Sequence, residues 1–189
     1  MRKALFSLFA VSLILIGVDS LHARAVETCP KIERSAEVKK ALQEKAIATY
    51  ESMIGKKENL GANDSKEIRV ILKSVGINSP AYYCAAYVSW GLTENGICNP
   101  RTAWSPALFP ASHCINLKQK IPEPADVFGV YYNNLNRIAH AGVVKRWPRD
   151  GDYFISLEGN TNNGTSRNGD GFYEKRRLKR TAYKVSRWI

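Results

Sequence analysis

Histidine is scarce in this chain of 189 residues, with three in all, His22, His113 and His140. No Cys-x-x-Cys pair and no His-Glu-x-x-His helix accompany them, which argues against a zinc site of the usual kinds, and no metal or cofactor is expected. Acidic side chains are also in short supply, 17 against 28 basic ones, for a net charge of +11. Nothing near Asp126 supplies a second carboxylate at glycosidase spacing, so Asp126 is not read as a glycosidase acid. There is no internal repeat and no low-complexity linker, which leaves one continuous core as the expectation. Long apolar runs are limited to Ala4 to Val18, shorter than the roughly 20 residues that cross a bilayer.

That run follows Met1, Arg2 and Lys3 and precedes Ala23-Arg24-Ala25, small residues at the first and third positions before a cut. Residues 1–25 therefore read as a secretory signal peptide, leaving residues 26–189 as a single exported domain, periplasmic or extracellular. Its charge stays strongly positive, which concentrates anionic partners such as wall polymers or lipid head groups at its surface rather than a specific nucleic acid. Nothing specifies an oligomer, and a monomer is expected. Four cysteines in an exported chain invite a disulfide. Cys98 and Cys114 flank the stretch with Pro100, Pro106 and Pro110, where closing the loop would contribute about 3 kcal/mol, and they are the expected pair. Cys29 is left without an assigned partner.

Apolar residues recur at three- and four-residue steps from Val38 to Ile54 behind Ser35, a good N-cap, and again from Ile68 to Val75 behind Ser65, with Gly76 ending the second helix. The segment Cys84 to Glu94 is apolar on nearly all sides and reads as a buried helix whose first residue is Cys84. Beyond residue 120 the texture changes. Asp126 to Tyr132, Ala141 to Trp147, Tyr153 to Leu157, Gly171 to Glu174 and Lys184 to Trp188 read as strands separated by Gly, Asn and Asp turns, among them Asn162-Asn163-Gly164 and Asn168-Gly169-Asp170-Gly171. Helices followed by an antiparallel sheet make an α+β domain. The basic run Lys175 to Arg180 reads as a solvated strand edge, or as a contact for anionic polymer.

A thiol attacks as its thiolate, and a helix N-terminus with a neighbouring imidazole favours that anion. Cys84 has the first by its position. Tyr83-Cys84-Ala85-Ala86-Tyr87-Val88-Ser89-Trp90 resembles the nucleophile motif of CHAP-type peptidoglycan hydrolases, relatives of the NlpC/P60 and papain folds. The similarity continues through Asn59-Leu60-Gly61, Leu72 to Gly76, Ala125-Asp126-Val127, His140-Ala141-Gly142-Val143-Val144 and Glu158-Gly159-Asn160-Thr161-Asn162, covering roughly residues 58–175.

The resemblance implies a papain-like α+β fold and a hydrolase that cuts an amide bond of peptidoglycan, between muramic acid and the stem peptide or within the peptide. It makes Cys84 the nucleophile, His140 the general base and later acid, and Glu158 the carboxylate that fixes the imidazole. Asn160, on the same side of a continuing strand, is the alternative or auxiliary orienter. His113 lies beside Cys114 in the Pro-rich loop, so His140 is the histidine left to serve Cys84. One oxyanion donor is expected to be the Cys84 N–H, and a second is sought among Asn63, Tyr82 and Tyr83. Trp104 and Tyr132 are candidates for lining a substrate groove. Two rivals keep part of this reading: a cysteine peptidase acting on proteins, and a binding module that retains the fold without turnover.

Overall fold

A computed structural model describes residues 29–164 and 169–189. The proposed signal peptide, residues 1–25, and Asn168 of one turn lie outside the described residues. Three α-helices come first in the described chain: α1 (Ala36–Glu51), α2 (Lys66–Ser74) and α3 (Cys84–Glu94). The side chains of Ser35 and Ser65 accept the Val38 and Ile68 N–H groups, so α1 and α2 begin where their N-caps place them. Gly76 takes a left-handed φ of +82°, and the Ile77 N–H returns to the Leu72 carbonyl at 2.9 Å, closing α2.

Five strands follow: β1 (Val127–Tyr132), β2 (Arg137–Arg146), β3 (Tyr153–Thr161), β4 (Gly171–Leu178) and β5 (Lys184–Ser186). They form an antiparallel sheet in the order β4-β3-β2-β1-β5, so the described domain is α+β with helices first and sheet after. Three strands run longer than their apolar texture suggests. β2 starts at Arg137, which sets His140 inside the strand rather than at its opening; β3 runs on through Glu158; and β4 carries the basic run as far as Leu178.

Alternation along the strands gives the sheet two apolar faces. Ala141, Val143, Leu157 and Phe172 pack with Ala85, Tyr87, Val88 and Leu92 of α3 in the larger core. On the opposite face Phe128, Val144, Phe154 and Val185 form a smaller one. Helix α1 crosses α3 at Gly91, where a Cβ would stand 2.0 Å from the Tyr50 ring. Tyr50 then donates to the Val88 carbonyl at 2.7 Å, while Tyr87 donates back to the Tyr50 carbonyl at 2.6 Å. These contacts fix the axis of α3, and with it the place of Cys84.

The disulfide differs from the expected one. Cys98 bonds Cys29, and Cys114 carries a free thiol. The Pro-rich stretch needs no bridge of its own, because Cys114 is pinned by an isolated β-bridge to Ser186 and by a thiol contact to the Phe109 carbonyl. The bridge instead ties the segment before α1 to the loop that follows α3, across 69 residues. Replacing Cys29 and Cys98 together by serine is expected to lower stability by about 4 kcal/mol, against about 1 kcal/mol or less for Cys114→Ser. Denaturant unfolding without reductant measures both; equal losses would contradict the assignment.

Candidate active site

Cys84 is the first residue of α3, and the Tyr87 N–H makes a bond of 2.8 Å to the Tyr83 carbonyl. The N–H groups of Cys84, Ala85 and Ala86 precede it, so they have no partner within the helix, and the positive end of the helix dipole lies at the sulfur. Tyr83 stands at the cap position without a side-chain cap bond. The opening of α3 therefore keeps its donors for an anion.

The thiol is buried, at 5% exposure, with the Ser105 hydroxyl 3.6 Å from its sulfur and with the His140 imidazole and the Ala141 N–H near enough to act on its ionisation. Burial alone would raise its pKa. The hydrogen bond and charge of His140, then Ser105 and Ala141, outweigh burial and bring the thiol down to about 7. His140, on β2, accordingly moves the other way. Burial would lower it, but Cys84 and Glu158 hydrogen bond to it and carry the opposite charge, lifting it to about 9. Between those values the pair rests as thiolate and imidazolium.

Behind the imidazole, Nε2 of His140 meets Oε2 of Glu158 at 2.8 Å, so Nδ1 is the ring nitrogen that the carboxylate does not engage. Glu158 is fully buried on β3, and each of its oxygens takes two donors. Oε1 accepts from Ser156 Oγ at 2.5 Å and from Arg177 Nε at 2.6 Å, while Oε2 accepts from His140 and from Arg177 Nη2. Burial would raise this carboxyl; Arg177 and His140 overcome it and hold it far below the usual carboxylate range. Room for the Glu158 stem comes from Gly142 on β2, where a Cβ would lie 2.8 Å from Glu158 Cγ.

The other residues singled out in the sequence divide. Tyr82 is 71% exposed two residues before the thiol, and Trp104, 51% exposed beside Ser105, has the Arg137 guanidinium 4.3 Å above its ring. Tyr132 lines a polar cleft that also includes His140. Tyr83 does not reach a groove. It is fully buried against Phe172, and its hydroxyl donates to Glu58 at 3.3 Å, because the apolar helix opening needs its ring for packing. Asn63 sits in the loop before α2 with its N–H on Glu58, and has no hydrogen bond to Cys84 or His140 among the described residues. Asn160 makes no hydrogen bond to His140 among the described residues, and Glu158 occupies Nε2. Asn160 occupies a register shift in β3 with φ +54°, so the alternation that would align it with Glu158 breaks there, and it lines the cleft instead. His113 is stacked on Trp188 at 4.1 Å and serves packing.

Two members of the site, Arg177 and Ser105, were not assigned from the sequence. Arg177 lay inside a run of five cations that reads as solvent-facing, and only the period-2 alternation of β4 separates it from Arg176, which stacks on Tyr153 instead. Ser105 opens a short 3-10 turn (Ser105–Leu108) with no local signal of its role. A cleft of about 670 Å³ between α1 and the sheet includes none of these groups.

A neutral hydroxyl donating to an anion contributes on the order of one pKa unit. Ser105→Ala is therefore expected to move the midpoint of Cys84 alkylation by iodoacetamide upward by about one pH unit, read by peptide mass spectrometry to separate Cys84 from Cys114. An unchanged midpoint in a folded variant would show that Ser105 does not act on the sulfur. The chain matches no family model, no curated protein and no solved structure.

Proposed function

We propose that this chain is an exported, papain-like cysteine hydrolase that cuts an amide bond of peptidoglycan, with Cys84, His140 and Glu158 as its catalytic line. The observation that carries the reading is the buried thiol at the opening of α3, its ionisation favoured by the nearby His140 imidazole, whose Nε2 is held by the Glu158 carboxylate. A nucleophile, a proton carrier and an aligned third group are the parts that hydrolysis of an unactivated amide requires.

In this mechanism the Cys84 thiolate attacks the carbonyl carbon, and the electron pair of the C=O bond moves onto oxygen. Free N–H groups at the start of α3, that of Cys84 first, stabilise the oxyanion. As the C–N bond breaks, the His140 imidazolium gives its proton to the leaving amine. Neutral His140 then takes a proton from water, the hydroxide attacks the thioester, and the acid departs as sulfur regains its negative charge and His140 is again protonated. Glu158 holds Nε2 throughout, so the imidazole turns Nδ1 to the reacting atoms at both stages.

The wall as substrate is supported by the resemblance of the Cys84, His140 and Glu158 segments to CHAP-type hydrolases. Export is supported by the character of residues 1–25 and by the Cys29–Cys98 disulfide, a bond that persists in oxidising compartments. Among the described residues no helix is long and apolar enough to cross a membrane.

Digestion of purified peptidoglycan is expected to yield new amino termini or freed stem peptides, with Cys84→Ala slower by a thousandfold or more, roughly the scale of losing a nucleophile. The rate should follow a bell, rising through about pH 7 as the thiol ionises and falling through about pH 9 as His140 loses the proton needed by the leaving amine. Cleavage of proteins with none of wall material would favour the peptidase alternative; wall cleavage undiminished in Cys84→Ala would refute the mechanism.

A further inference from the structure

Beside His140 lies a polar cleft of about 190 Å³, lined by Tyr132, Asn160, Thr161, Asn162 and Gly164 and by two cations of β4, Lys175 and Arg177. Among the described residues, none that lines it is acidic. The larger cleft at α1 makes the contrast, since there Lys40, Lys145 and Arg146 are balanced by Glu44 and Glu174. We propose that the cleft beside His140 is a carboxylate-binding subsite, in which Lys175 and Arg177 receive an anionic group carried by the substrate close to the scissile amide. The proposal rests on the hydrolase reading and names a feature of its substrate.

The charges at the site lead to it. Thiolate and imidazolium cancel, and so do Glu158 and Arg177, which leaves the ammonium of Lys175. That group donates to the Asn162 carbonyl, and no carboxylate pairs with it among the described residues. Lys175 and Arg177 are two residues apart on one strand, so both side chains project from the same face. Arg177 uses Nε and Nη2 on Glu158 and keeps its Nη1 donors for another partner. An ammonium beside a planar guanidinium edge suits a carboxylate, which takes a point charge and a directional donor together. His140 is itself part of the cleft lining, so an anionic group held there would lie beside the imidazole that serves the scissile amide.

A wall peptide bearing a free carboxylate next to the scissile bond is expected to be cleaved with a kcat/KM about tenfold above that of its carboxamide analogue, the size of one charge-assisted contact. Lys175→Gln should erase that preference and Lys175→Arg should keep it. Independently of turnover, titrating sodium acetate into protein labelled with ¹⁵N at histidine and lysine should shift the His140 and Lys175 signals saturably. Acetamide and sodium chloride at matched concentration should not, and Lys175→Gln should abolish the acetate response. Equal cleavage of acid and carboxamide, or acetate shifts no larger than those of chloride, would overturn the subsite and leave the hydrolase reading standing. Saturable acetate binding without cleavage of either peptide would uphold an anion site and overturn the hydrolase reading.

Discussion

The arrangement depends on one buried anion. Glu158 has no exposure to solvent, and an ion in such a place costs several kcal/mol unless its acceptor positions are filled. Here two donors reach each oxygen, two of the four from Arg177. The guanidinium keeps the carboxylate ionised; the thiolate and the carboxylate together keep His140 protonated; the imidazolium in turn lets a buried thiol lose its proton. Each step is a local electrostatic balance in which burial opposes the charge and a specific partner overrides it.

Position is supplied by packing rather than by charge. The crossing of α1 over α3 at Gly91 and the paired tyrosine bonds hold the helix that presents Cys84. The pairing of β2 with β3 brings Glu158 beside Gly142, the one strand position without a side chain there to obstruct it. A methyl group at Gly142 would press on both Glu158 and Phe128, so the smaller core and the carboxylate share one tolerance. The acid-free cleft includes the same imidazole in its lining, where β4 delivers Lys175 and Arg177 together.

Local chemistry made much of this legible from the sequence. Ser35 and Ser65 announce helix starts, Gly76 announces an end, and the apolar run after Tyr83 places Cys84 at a helix opening, because caps and periodicity act over a few residues. What escaped depends on partners far apart in the chain. Arg177 and Glu158 are 19 residues apart, Ser105 and Cys84 are 21 apart, and Cys29 and Cys98 are 69 apart. Spacing carries no mark of such pairs. Asn160 failed for another reason: a single left-handed residue interrupts the alternation from which its direction was inferred.

The protonation of His140 tests the account most directly. Following its ring nitrogens by ¹⁵N resonance across pH, the wild-type protein should hold the imidazolium to about pH 9, and Glu158→Gln should release that proton at a clearly lower pH. A wild-type imidazole that deprotonates near its ordinary value of about 6.5, with or without Glu158, would contradict the chain of charges from Arg177 to Cys84.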